Sequence, residues 1–220
     1  MTLGGAMAKT AFLLLIVIVS ASFTWRMTGE GNPAAMPFFW GGLIAGLILA
    51  VVTVFKKEWS PITAPIYAIV EGLFLGVLSA IYNAQFDGIV VQAITLTLGV
   101  ALLMLALYGM RIIVPTQKFK AVVLSATGGI MLIYLVTFVL GFFGVNIPYI
   151  HGSGAFGIGF SIFVVVIAAL NLIIDYELIE VGSAQGAPKY MEWYGGFAVL
   201  VTLIWLYIEI LRLLAKLRRR

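Results

Sequence analysis

Apolar residues in this chain come in long blocks, not in the strict alternation of a half-buried strand. Seven blocks stand out, at roughly Thr10–Trp25, Phe38–Phe55, Ile62–Tyr82, Ile89–Met110, Ala121–Val145, Ala155–Ile174 and Phe197–Leu217. Each approaches the roughly 20 residues that a helix needs to cross the hydrocarbon of a bilayer. The breaks read TGEGNPAAMP, KKEWSP, NAQFDG, RIIVPTQKFK, GVNIPYIHGSG and VGSAQGAPKY. All carry glycine, proline, asparagine or charge, and none is long enough for a soluble domain. The pattern predicts an all-α integral membrane protein: a seven-transmembrane-helix bundle forming a single domain over residues 1–220.

Composition removes the competing classes. The chain of 220 residues is 63% hydrophobic and only 10% charged. A soluble domain of that size has too little interior to hide so much apolar surface. The opening block ends in VSAS, which has the look of a small-residue cleavage site. It runs on through Phe23 to Trp25, however, and an aromatic there suits the interfacial anchor of a first span. With no cysteine, disulfides, thiolate metal sites and a cysteine nucleophile are excluded. The single histidine, His151, excludes a multi-histidine zinc site.

The net charge of +4 is scattered between spans, so it speaks of topology and lipid contact and not of a nucleic-acid patch. Lys9, Lys56, Lys57, Arg111, Lys118, Lys120 and Lys189 lie at the N-terminal end or after spans two, four and six. The loops after spans one, three and five carry only Arg26. The positive-inside rule therefore places the N-terminus in the cytoplasm of a multi-pass protein of the cell membrane, plasma or inner. The basic tail LRLLAKLRRR opposes this. Either seven full spans leave it outside, its long side chains reaching for the interface, or the last segment is re-entrant.

Gly42 with Gly46, and Gly72 with Gly76, are small residues four apart, a spacing that lets backbones approach closely in lipid. With 24 glycines in the chain, the spacing alone does not decide that they do so.

Acidic residues within the apolar blocks are the candidate chemistry. An aspartate inside a span costs roughly 2.5–3.5 kcal/mol on insertion scales, yet block six closes with IIDYELIE, residues 173–180. Gly157, Ser161, Ala168, Asn171 and Asp175 share one small, polar helical face. On span seven, Gly195, Ala198, Thr202, Trp205, Glu209, Arg212 and Lys216 share another. Glu71 is a third acid, about two turns inside span three. Intramembrane carboxylates are expected to face the bundle interior. Each has a plainer alternative. Glu209 can pair with Arg212 three residues on, Asp175 can be a wet interfacial acid like Glu177 and Glu180, and Glu71 can be a protonated structural acid. Glu192 and Lys189 are expected at the surface, in an interfacial segment KYMEWYGG. An Asp175–Glu209 contact needs a break at Gly195–Gly196. Starting the helix at Tyr190 puts Glu209 about 28 Å along it, against about 18 Å from Phe197.

DYELIE closing a sixth span, then WLYIEILRLL in a seventh, resembles the Bax inhibitor-1 family of transmembrane Bax-inhibitor-motif proteins, in a bacterial-type branch. The likeness extends to the Lys-Thr opening of span one and to EGLFLG in span three. It implies seven helices with the last one central. In members studied as calcium leaks, two aspartates on helices six and seven form a hydrogen-bonded dyad that opens with pH. Those positions map onto Asp175 and Glu209, with glutamate replacing the second aspartate and a connection about ten residues longer. Other bacterial relatives restrain a membrane-bound quality-control protease.

Two carboxylates about 4 Å apart at an effective dielectric near 20 repel by about 4 kcal/mol, so they would share one proton. Deprotonation would separate the helices and expose hard oxygen ligands of the kind calcium takes. The first expectation is a pH-sensitive passive cation leak, calcium being the transported ion and transient ligand of Asp175 and Glu209. Glu71 would be a further pathway acid, with Asn171 and Arg212 as accessories. Lipid, calcium and protons would be its partners, and no cofactor is called for. The alternative is a membrane-embedded regulator of a protease or another membrane complex, without transport. With one loop histidine, no cysteine and no evident nucleophile–base pair, an enzyme is not expected.

Overall fold

The computed structural model of the protein describes residues 1–143, 152 and 154–219, with the backbone alone at Phe142. His151 and the end of the fifth predicted block lie outside the described residues. Seven long helices run in order: α1 Leu3–Gly29, α2 Ala35–Phe55, α3 Ser60–Gln85, α4 Ile89–Gly109, α5 Gln117–Phe142, α6 Ala155–Ala184 and α7 Met191–Arg218. All seven are long and apolar enough to cross a membrane. The protein is a multi-pass membrane protein of helices, with no strand among the described residues.

Most helices outlast the apolar blocks that announced them, because hydrogen bonding continues where the hydrocarbon stops. Capping residues set several ends. Thr2 Oγ1 accepts from Gly5 N–H at 3.0 Å and Thr116 Oγ1 from Phe119 N–H at 3.2 Å, each satisfying an otherwise orphan donor. Pro61 opens α3, where its missing N–H costs nothing. Helix α6 carries on through DYELIE to Ala184, so Asp175 lies about 14 Å before its end. Helix α7 is unbroken over 28 residues, about 42 Å, which is long enough to cross the hydrocarbon.

The break expected at Gly195–Gly196 is absent. Both residues lie inside α7, where their missing side chains make room for neighbours. A Cβ on Gly195 would stand 2.8 Å from Ile179 Cγ1, and one on Gly196 would stand 3.1 Å from the Thr10 nitrogen. These glycines admit α6 and α1 to close approach, and membrane helices tolerate them.

The chain divides into two compact units, one of residues 1–90 and 175–201, the other of 91–174 and 202–220. In the first, α3 packs against α1 and α2 through the paired glycines. A Cβ on Gly72 would meet Ser20 Oγ and, at 2.7 Å, the Val17 carbonyl oxygen. One on Gly76 would meet Thr24 Oγ1 and Ala21. Gly42 stands likewise against Phe74 and Val70. Hydroxyls stitch the same contacts: Thr24 donates to the Leu73 carbonyl at 2.9 Å and Thr53 to Thr63 at 2.8 Å.

In the second unit, Ile130, Val164 and Ile167 form a buried cluster covered by Ala126, Tyr134, Phe160 and Trp205. The faces turned away from both cores are apolar. Leu47 and Leu102 are each 67% exposed and Leu132 is 62% exposed, which suits lipid and not water.

Candidate functional site

Five polar side chains predicted on the spans are now placed. In the first unit, Glu71 on α3 is half-buried and hydrogen-bonded to the phenol of Tyr67, four residues earlier on the same helix. Its carboxylate packs on α2 at Gly46, where a Cβ would stand 2.5 Å from Glu71 Oε1. Asp175 on α6, half-buried, lies within electrostatic reach of the hydroxyls of Tyr176 and Tyr194.

The second unit holds the other three. Glu209 is 1% exposed on α7. Its Oε1 accepts from the Tyr134 hydroxyl at 2.9 Å and from Arg212 Nη1 at 3.0 Å. The plainer alternative for Glu209, an ion pair one helical turn on, is thus realised, with a phenol from α5 added to it. The guanidinium also lies over the Tyr134 ring, 5.2 Å from its centroid, so Tyr134 touches both members of the pair. Glu209 Oε2 is buried with no hydrogen-bond partner among the described residues. Such an oxygen carries the desolvation cost of an unmet acceptor. Asn171 does not join this group; it donates to Thr127 Oγ1 and to the Ile167 carbonyl, both at 2.8 Å.

One turn beyond Arg212, Lys216 is buried and donates to Ser161 Oγ at 2.8 Å and to the Gly157 carbonyl at 3.0 Å. The polar faces drawn for spans six and seven therefore meet at this end. Among the described residues, no group of three or more His, Cys, Asp or Glu side chains gathers to hold a metal ion.

Of the predicted site residues, Glu209 and Arg212 are brought into direct contact. Asp175 and Glu209 fall in different units. The helix break on which their pairing rested is missing.

The profile of the family described as Bax inhibitor 1 like matches residues 1–219. The chain belongs to the Bax inhibitor 1 like family. No curated protein and no solved structure matches it. The match covers all seven helices of this Bax inhibitor-like protein.

Two groups of polar residues escaped prediction. Tyr134 stands 75 positions before Glu209 and carries no local signature. Glu192, expected at the surface, is 3% exposed. Its Oε1 accepts from the backbone N–H and the hydroxyl of Thr2, at 3.0 and 3.1 Å. A carboxylate at the start of α1 also meets the positive end of that helix. The partner lies 190 residues away in sequence, so no local pattern announces the contact.

Proposed function

We propose that this protein is a passive, pH-sensitive cation pathway, with calcium the favoured ion, in which embedded carboxylates control passage. The observation that supports this reading is Glu209 Oε2, a buried anionic oxygen without a hydrogen-bond partner among the described residues. Hard oxygens of this kind suit calcium, and an intramembrane ionisable residue marks an ion or proton route by default. Arg212 is the closing element. Its guanidinium neutralises Glu209, and its side chain is 36% exposed against 2% for the acid, so it is the member of the pair nearer the surface. Withdrawal of Arg212 leaves an ionised carboxylate to attract a cation. Only the ionised form of an embedded carboxylate attracts a cation, so flux falls as pH falls. Asp175 and Glu71 are further acids of the route, and no catalysis is part of the reading.

Calcium flux into proteoliposomes tests it. Glu209→Gln and Asp175→Asn are expected to flatten the pH dependence. Unchanged flux and pH response in Glu209→Gln would end the assignment.

One observation favours a second reading. Arg212 and Lys216 outnumber Glu209 at this end of α7, and a net positive site repels cations. On that reading the protein regulates a membrane-bound protease or another membrane complex without transport. Co-purification of such a partner, with liposomes that stay tight to calcium, would favour it.

A further inference from the structure

Lys9, in the second turn of α1, holds its ammonium over the Trp193 ring of α7, 4.7 Å from the centroid. Among the described residues the ammonium meets no carboxylate and the indole N–H meets no acceptor. The neighbouring acid, Glu192, is held by Thr2. A lysine on an aromatic face still has donors left to give, and the indole adds one more. Two donors stand together here, one of them charged, without an anion.

Phe12, one turn on from Lys9, packs edge-on against the same indole, with ring centroids 6.0 Å apart. It is also the first residue of an apolar groove of about 500 Å³ between α1 and α3, lined further by Ile16, Ser20, Phe23 and Leu73. The Ser20 hydroxyl is turned inward, donating to the Ile16 and Val17 carbonyls at 2.8 and 3.2 Å. The lining therefore offers a ligand hydrocarbon alone. All of these residues belong to the first unit.

Dimensions decide what fits. Phe12 to Phe23 is eleven residues of helix, about 16 Å, which is close to half of the roughly 30 Å hydrocarbon thickness. Spread over that length, the volume gives a cross-section of about 30 Å². A helix 10–12 Å across needs roughly 80 Å² or more. The groove admits a chain of methylenes one leaflet long, but not the body of a helix.

We infer that this is a site for one anionic phospholipid, with an acyl chain in the α1–α3 groove and the phosphate on Lys9 and the Trp193 indole. Bilayer hydrocarbon is as apolar as the groove, so the tail alone gains little by entering it. Preference comes from the head group beside a basic side chain, and the groove sets the depth at which the phosphate arrives. The site does not rest on the proposed cation pathway.

Native mass spectrometry of the purified full chain, released from neutral detergent, tests it with dioleoylphosphatidylglycerol and dioleoylphosphatidylcholine as probes. Wild type is expected to retain one phosphatidylglycerol about fivefold more tightly than phosphatidylcholine. Lys9→Gln should abolish that preference and Lys9→Arg should keep it. Val19→Trp and Leu15→Trp, at rim positions 69% and 59% exposed, fill the groove without entering the core and should lose retention of both lipids. Dihexanoylphosphatidylglycerol, whose tails are too short for the groove, should bind more weakly than the dioleoyl lipid. Equal retention of the two dioleoyl lipids by wild type overturns the inference, as does a preference that survives Lys9→Gln. Retention indifferent to both tryptophan variants overturns it too. So does displacement of the lipid by inorganic phosphate, which would make the site one for a free anion. A dimer that Val19→Trp dissolves would give the groove to a second copy of the chain, and would likewise defeat the lipid site.

Discussion

Substituting alanine for glycine at four helical positions separates close helix contact from mere glycine abundance. At Gly72 a Cβ would sit 2.7 Å from the Val17 carbonyl oxygen and 3.0 Å from Val17 Cα, while also striking Ser20 Oγ. At Gly76 it would sit 2.9 Å from the Ala21 carbonyl carbon and strike Thr24 Oγ1. These are backbone atoms of a packed helix, so α1 must retreat by roughly half an ångström or more. Such overpacking costs about 1–3 kcal/mol. Retreat also stretches the 2.9 Å bond from Thr24 to the Leu73 carbonyl, worth about 1 kcal/mol. Against this stands the helix-propensity gain from glycine to alanine, at most about 1 kcal/mol. The net expectation is a loss of about 1–3 kcal/mol for each. At Gly99 on α4 and Gly128 on α5 an added Cβ meets nothing within 4 Å, so only the propensity gain remains and stability should rise by up to about 1 kcal/mol. Thermal unfolding in one detergent, at about 2–4 °C per kcal/mol for a chain of this size, resolves a difference of that sign. Finding Gly72→Ala and Gly76→Ala as stable as Gly99→Ala would refute the claim that α1 and α3 touch through those glycines.

Two shorter predictions follow from the hydrogen bonds. Tyr134→Phe removes a donor from a buried carboxylate that already has one unmet oxygen, and should lower stability by about 1.5–3 kcal/mol, read as a falling Tm. It should also leave Glu209 held by Arg212 alone, so the double variant Tyr134→Phe/Arg212→Gln should lose more than the sum of the two single changes. Glu192→Ala strips Thr2 of two bonds and should free the start of α1. Faster amide exchange confined to the first turn of α1 would be the signature, and unaltered protection there would contradict the contact.

Much of the architecture was legible in the sequence because lipid imposes one simple demand. Every backbone polar group in the hydrocarbon must be satisfied within its own segment, so an apolar block of about 20 residues is a helix. All seven blocks became helices for that reason. The helical periods of three and four likewise placed Glu209, Arg212 and Lys216 on one stripe of α7, and Gly157 and Ser161 on one stripe of α6. The ion pair Glu209–Arg212 was readable as a local, one-turn contact.

What the tertiary structure alone decided are the encounters between segments distant in the chain. Gly195 and Gly196 read as a break, since glycine weakens a helix and nothing in the sequence shows what stands beside it. Packing by Ile179 and by the backbone at Thr10 turned the same two residues into a contact surface. Tyr134 on Glu209, Glu192 on Thr2 and Lys216 on Ser161 span separations of 75, 190 and 55 residues. A lone polar side chain carries no mark of its partner. In a low-dielectric interior a buried donor or acceptor left without one is costly, and which partner it finds is set by the way the helices are brought together.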